Sequence, residues 1–118
     1  MTGDTAYDEF QLWDLRVEVV APEGAKIWSG AKVGDYFELK GEMLYLPEGQ
    51  GISIYSLSSV LPLLAAKQRQ TNPADWMSSD ALIANPDPNC PVRLKIIRTG
   101  LRTFKHGNTT AEPMKENA

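Results

Sequence analysis

The turn Pro47-Glu48-Gly49-Gln50-Gly51 separates two periodicities that cannot belong to one element, and this constrains the fold more than any other feature. Before it, Tyr36 to Lys40 and Met43 to Leu46 read as short strands joined at Gly41-Glu42, a hairpin. After it, Ile54, Leu57, Leu61 and Leu64 recur at spacings of 3, 4 and 3, which is one face of a helix with Ser53 as its N-cap. Such a junction brings unpaired backbone N–H groups, a helix N-terminus and the polar side chains of Glu48, Gln50 and Ser53 to one edge of the fold. It marks where a site can be without saying what the site does.

The rest of the chain fills in around this junction. Trp13, Leu15, Val17 and Val19 alternate with Asp14, Arg16 and Glu18, predicting a first strand that ends at Pro22-Glu23-Gly24. Pro62 interrupts the helical pattern, predicting a kink or two short helices. Asn72-Pro73-Ala74-Asp75 is a second start signal, for a single turn carrying Trp76 and Met77. After the rigid Pro86-Asp87-Pro88-Asn89-Cys90-Pro91 segment, Val92, Leu94 and Ile96 predict a last strand running to Arg98. The expectation is an α+β domain in β-β-β-α-β order: a small, curled, mostly antiparallel sheet packed against one kinked or split helix. Residues 1–9 read as a flexible arm, 10–102 as the single domain and 103–118 as a flexible tail. The open edges of so small a sheet predict a homodimer.

Composition narrows the functional classes. At 118 residues and a net charge of −3, the chain makes one modest core and is a poor match for nucleic acid. Its late basic residues, Arg93, Lys95, Arg98, Arg102 and Lys105, lack the aromatic interleaving used for base stacking. No run of about 18 apolar residues predicts a membrane span, and the polar N-terminus lacks a secretory pattern. With one cysteine, Cys90, an internal disulfide is excluded, so the expected setting is the cytoplasm. The sole histidine, His106, falls in the expected tail with no second ligand at metal-binding spacing, and no metal or other cofactor is expected.

Several ordered blocks resemble one known set of proteins. They are Lys32-Val33-Gly34-Asp35, Leu44 through Gly51, Leu61 through Arg69, Asp75-Trp76-Met77 and Pro86-Asp87-Pro88. The chain resembles, over roughly residues 12–98, a widespread and largely uncharacterised family of small proteins, mostly from bacteria and archaea with fungal relatives. The resemblance implies one compact domain and brings no shared activity with it. Members of that family often carry Cys-x-x-Gly-His before the Lys-Val-Gly-Asp block and a cysteine before Pro-Asp-Pro. The corresponding positions here are Ile27, Gly30, Ala31 and Asn85. Ile and Ala cannot ligate a metal, so the comparison implies that Ile27, Trp28 and Ala31 form an apolar wall where relatives have softer ligands.

Two readings follow. In the first, the chain is a cofactor-free enzyme of small-molecule metabolism, secondary metabolism included, that isomerises, cyclises or dehydrates an apolar small molecule. Ile27, Trp28, Ala31, Trp76, Met77 and Asn85 would hold the substrate. Asp75, Asp87, Glu48, Tyr45 and Tyr55 would move protons, since a carboxylate against an aromatic wall can become an acid or base near neutrality; Asp80 is a further carboxylate of this kind. In the second, it is a non-catalytic small-molecule-binding or protein-interaction module, in which Asp75 is a helix-start charge and Asp87 a turn former. The two are separable by whether Asp75 and Asp87 point into apolar surroundings or into water.

Overall fold

In the computed structural model, residues 7–79 and 82–115 are described. Five strands form one antiparallel sheet: β1 Glu9–Val20, β2 Tyr36–Lys40, β3 Met43–Tyr45, β4 Leu82–Ala84 and β5 Arg93–Lys105, in spatial order β3-β2-β1-β5-β4. One long helix, α1 Ile54–Gln68, covers one face; a 3-10 turn at Trp76–Ser78 and a short α2 at His106–Thr109 complete the elements. This is the α+β fold that the two periodicities require.

Register explains the core. Val17 pairs with Phe37 on one side and Ile96 on the other, Leu15 with Leu39, and Val19 with Leu94. All of these side chains are buried on the face that α1 covers with Val60 and Leu64. The alternate residues of β1, among them Asp14 and Arg16, point to the opposite face. There Arg16 pairs with Glu18 at 2.7 Å and Arg102 with Asp14 at 2.8 Å. The hydrogen bonds to Glu18 and Asp14 hold the two guanidinium groups above their ordinary pKa.

The helix differs from its apolar spacing. Ile54 and Leu61 are exposed, at 70% and 51%, while Ser56, Val60, Leu64, Lys67 and Gln68 are buried. The inward face combines Leu57, Val60 and Leu64 with polar contacts that a hydrophobic count omits. Ser56 Oγ accepts from Asn85 Nδ2 at 2.9 Å, Lys67 Nζ donates to the Met77 carbonyl at 2.7 Å, and Gln68 Nε2 donates to the Gly41 carbonyl at 2.7 Å. Nor does Pro62 split the helix, which is assigned as continuous through it. Pro62 and Ser58, whose carbonyl loses its usual partner, both lie on the exposed side, so water can satisfy that carbonyl.

The last strand is longer than predicted. A bulge opposite Asp14 and Leu15 absorbs Thr99, and the ladder then continues from Leu101 opposite Trp13 to Lys105 opposite Glu9. Phe10 and Phe104 stack in this outer ribbon with ring centroids 5.4 Å apart. Residues 103–105 thus belong to the sheet rather than to a tail, and Glu9 to β1 rather than to an arm. Residues 1–6 of the expected arm and 116–118 of the expected tail lie outside the described residues. The sequence reading also lacks β4, a three-residue edge strand against β5. Because both terminal strands are this short, β1 from Glu9 to Asp14 and β5 beyond Lys95 have no neighbouring strand on their outer sides among the described residues.

Candidate functional site

The strand-to-helix junction lies along a concave surface. Gln50 N donates to the Pro47 carbonyl at 3.1 Å, closing a turn in which Gly49 takes φ +75°, a conformation that glycine reaches without strain. Gln50 then reaches β2 with its side chain: Oε1 accepts from Tyr36 N at 3.1 Å and Nε2 donates to Tyr36 O at 2.7 Å. This two-bond clamp imitates one step of a sheet ladder. It gives Gln50 a structural role at the place where the sequence suggested a site.

Across from the turn, the Lys32–Asp35 loop is tied to the sheet. Asp35 N donates to Lys32 O and Asp35 Oδ2 accepts from Lys32 N, each at 3.0 Å, while Gly34 N donates to Val19 O and Val19 N to Asp35 O. Helix α1 begins between the two loops. Ser53 Oγ accepts from Ser56 N at 3.4 Å, as the N-cap reading requires.

These three segments bound an open groove of about 790 Å³, whose ionisable lining is Lys32, Asp35 and Glu48 and whose aromatic lining is Trp28 and Tyr55. A smaller hollow of about 370 Å³ adjoins it, sharing Trp28, Ser29, Ser53 and Tyr55 and adding Asn85, Pro86 and Asp87. Trp28 and Tyr55 therefore stand where the two hollows meet. Both are strongly exposed for aromatic residues, at 60% and 69%. Lys26 Nζ lies 4.1 Å from the centroid of the Trp28 ring, a cation–π contact.

The expected site residues divide. Trp28, Ala31, Glu48 and Tyr55 line the larger groove, and Asn85 and Asp87 the smaller one. Ile27 lines neither and packs on the core instead, together with one side of Ala31. The wall is thus amphipathic rather than greasy, because Ile27 is turned inward while Ser29, Lys32 and Asp35 face the space. Trp76 and Met77 line neither hollow; they sit on the 3-10 turn, with Trp76 60% exposed and the Met77 carbonyl held by Lys67. Tyr45 lies on edge strand β3, also outside the lining.

Two of the carboxylates are engaged in turns. Asp75 Oδ1 accepts from Met77 N at 2.9 Å and Asp87 Oδ1 from Asn89 N at 2.9 Å, and both residues are exposed. Asp80 lies outside the described residues. Asn85 is buried: its Nδ2 donates to Ser56, its Oδ1 accepts from Asp87 N at 3.0 Å, and its backbone N donates to the Val92 carbonyl. It forms the floor that orients the Pro-Asp-Pro turn. The sequence reading missed Asp35 and Lys32 as lining residues, although their turn directly precedes β2. It also missed Ser56, whose signal, a serine between apolar helix positions, reads as exposed.

Among the described residues no group of three or more His, Cys, Asp or Glu is placed to hold a metal ion. No described helix is long and apolar enough to cross a membrane. Cys90 is buried in the core beside Val92, away from either hollow. No family model matches the chain, and neither a curated protein nor a solved structure is significantly similar to it.

Proposed function

We propose that this domain is a non-catalytic binding module for an aromatic small molecule, held in the groove between the Lys32–Asp35 loop, the Pro47–Gly51 turn and the start of α1. The observation that carries the reading is the pair Trp28 and Tyr55. Both aromatic side chains are left more than half exposed at a concave surface whose walls are fixed by backbone and side-chain hydrogen bonds. Concave, prefixed surfaces with aromatic lining and a few polar groups are where small ligands bind. The acid–base reading is less well supported, because Asp75 and Asp87 spend a carboxylate oxygen each on turn hydrogen bonds in water. It would rest on Glu48 and Tyr55, the two proton-transfer candidates that line the larger groove.

The test is a ligand-observed NMR screen of aromatic small molecules against the wild type, Trp28→Ala and Trp76→Ala. Hits are expected to bind the wild type and Trp76→Ala alike. On Trp28→Ala they weaken by at least about tenfold, the loss of roughly 1.4 kcal/mol of aromatic contact. Hits that survive Trp28→Ala and vanish with Trp76→Ala would move the site to the 3-10 turn and defeat the proposal.

A further inference from the structure

Resting on that reading, we infer that the groove selects an aromatic ligand carrying a protonated amine, with its ring beside Tyr55 and its ammonium between the Trp28 face and the carboxylates at the rim. The charges that line the two hollows are Asp35, Glu48 and Asp87 against Lys32, three carboxylates to one ammonium. Asp35 and Asp87 are each oriented by a backbone hydrogen bond to one oxygen, which leaves the other oxygen available to a donor. Among the described residues no hydrogen bond or ion pair holds the Glu48 side chain, which leaves its carboxylate open to a ligand.

The second observation is independent of these acids. The face of Trp28 already attracts a cation of the chain itself, the Lys26 ammonium at 4.1 Å. A ring quadrupole that holds a lysine amine holds a ligand amine for the same reason. The exchange is like for like, since Lys26 is exposed and its released side chain regains rotamer freedom in water.

An anionic ligand is the obvious competitor, because α1 points its N-terminus at the groove. Here one of the free N–H groups of that end is already taken, Ser56 N by Ser53 Oγ. An anion would also meet Glu48 and Asp35 across the groove. Even with Lys26 counted beside Lys32, three carboxylates to two ammonium groups favour a cation.

Three probes of one ring system separate the possibilities: tryptamine, indole and indole-3-propionate, titrated near neutral pH against the intact chain. Tryptamine is expected to bind about three- to tenfold more tightly than indole, the size of an exposed cation–π contact plus a screened ion pair. Indole-3-propionate is expected to be the weakest. Added salt should shrink the tryptamine advantage, and Glu48→Gln should reduce it further. If tryptamine gains nothing over indole, or indole-3-propionate binds best, the charge assignment is wrong while the groove remains the site. If none of the three perturbs Trp28 or the Gly49–Tyr55 segment, the inference and the binding reading fall together.

Discussion

Replacing Phe37 by alanine is expected to destabilise the domain by about 3–5 kcal/mol, a large part of the 5–15 kcal/mol typical of a domain. Phe37 is fully buried and the largest such side chain, on β2 opposite Val17 and in the cluster that α1 closes with Val60 and Leu64. Collapse around the missing ring is restricted on several sides. Tyr36, its neighbour, is clamped by Gln50 at both backbone groups, and Asp35 O receives the Val19 N–H. A rigid surround leaves more of the cavity open, and the cost rises with that volume. Chemical denaturation should show a lower midpoint with an unchanged slope. A loss under about 1 kcal/mol would mean that β2 does not present this face to the helix.

The second large effect is expected at Arg98. Arg98→Ala should cost about 2–3 kcal/mol, because it removes charge-assisted hydrogen bonds that close the C-terminal end of α1. Arg98 Nε donates to Lys67 O at 2.8 Å, and Nη2 donates to Arg69 O at 3.0 Å and to Thr71 Oγ1 at 3.4 Å. The first two are carbonyls that the helix leaves without an intrahelical partner. The guanidinium plane also lies 5.7 Å from the Trp13 ring centroid. Arg98→Lys should recover less than half of the loss, since a single ammonium cannot reproduce the fork. Full rescue by lysine in the same denaturation series would show that charge alone, and not the forked geometry, caps the helix.

Arg98 also illustrates what a linear reading can and cannot supply. Among the late basic residues it carried no signal beyond its charge, yet the β5 register sets it opposite Leu15, where it reaches the end of α1. Strand β2 was legible to its end residues, and so was the Ser53 cap, because local chemistry decides both. The inward face of α1 was legible only in part: Leu57 and Leu64 meet the core, while Ile54 and Leu61 face out. Apolar residues occur around most of its circumference, and the choice between faces rests on Ser56 meeting Asn85 and on Lys67 meeting Met77, contacts between segments far apart in sequence. The outer half of β5 was obscured by Thr99 and Gly100 at the bulge, although Leu101 and Thr103 keep the alternation beyond it.

The site was half legible for the same reason. Glu48 and Tyr55 were named from the local junction signal and Trp28 from the family resemblance, and the structure brings them to one groove. Trp76 and Met77 were grouped with them only by residue type, and the 3-10 turn carries them elsewhere. Ile27 was assigned to a ligand wall, but an aliphatic side chain next to a core is drawn into it, and Ile27 packs there.

The groove beside α1, with Trp28 as its aromatic wall, is the ligand site proposed for this domain. A protein-observed NMR titration with indole tests it directly, because Trp13, Trp28 and Trp76 each supply a separate ring N–H signal. The Trp28 signal and the backbone amides of Gly49 to Tyr55 are expected to shift together along one binding curve while the Trp76 signal stays fixed. Movement of Trp76 alone, or of the opposite face of the sheet around Arg16 and Arg102, would contradict it.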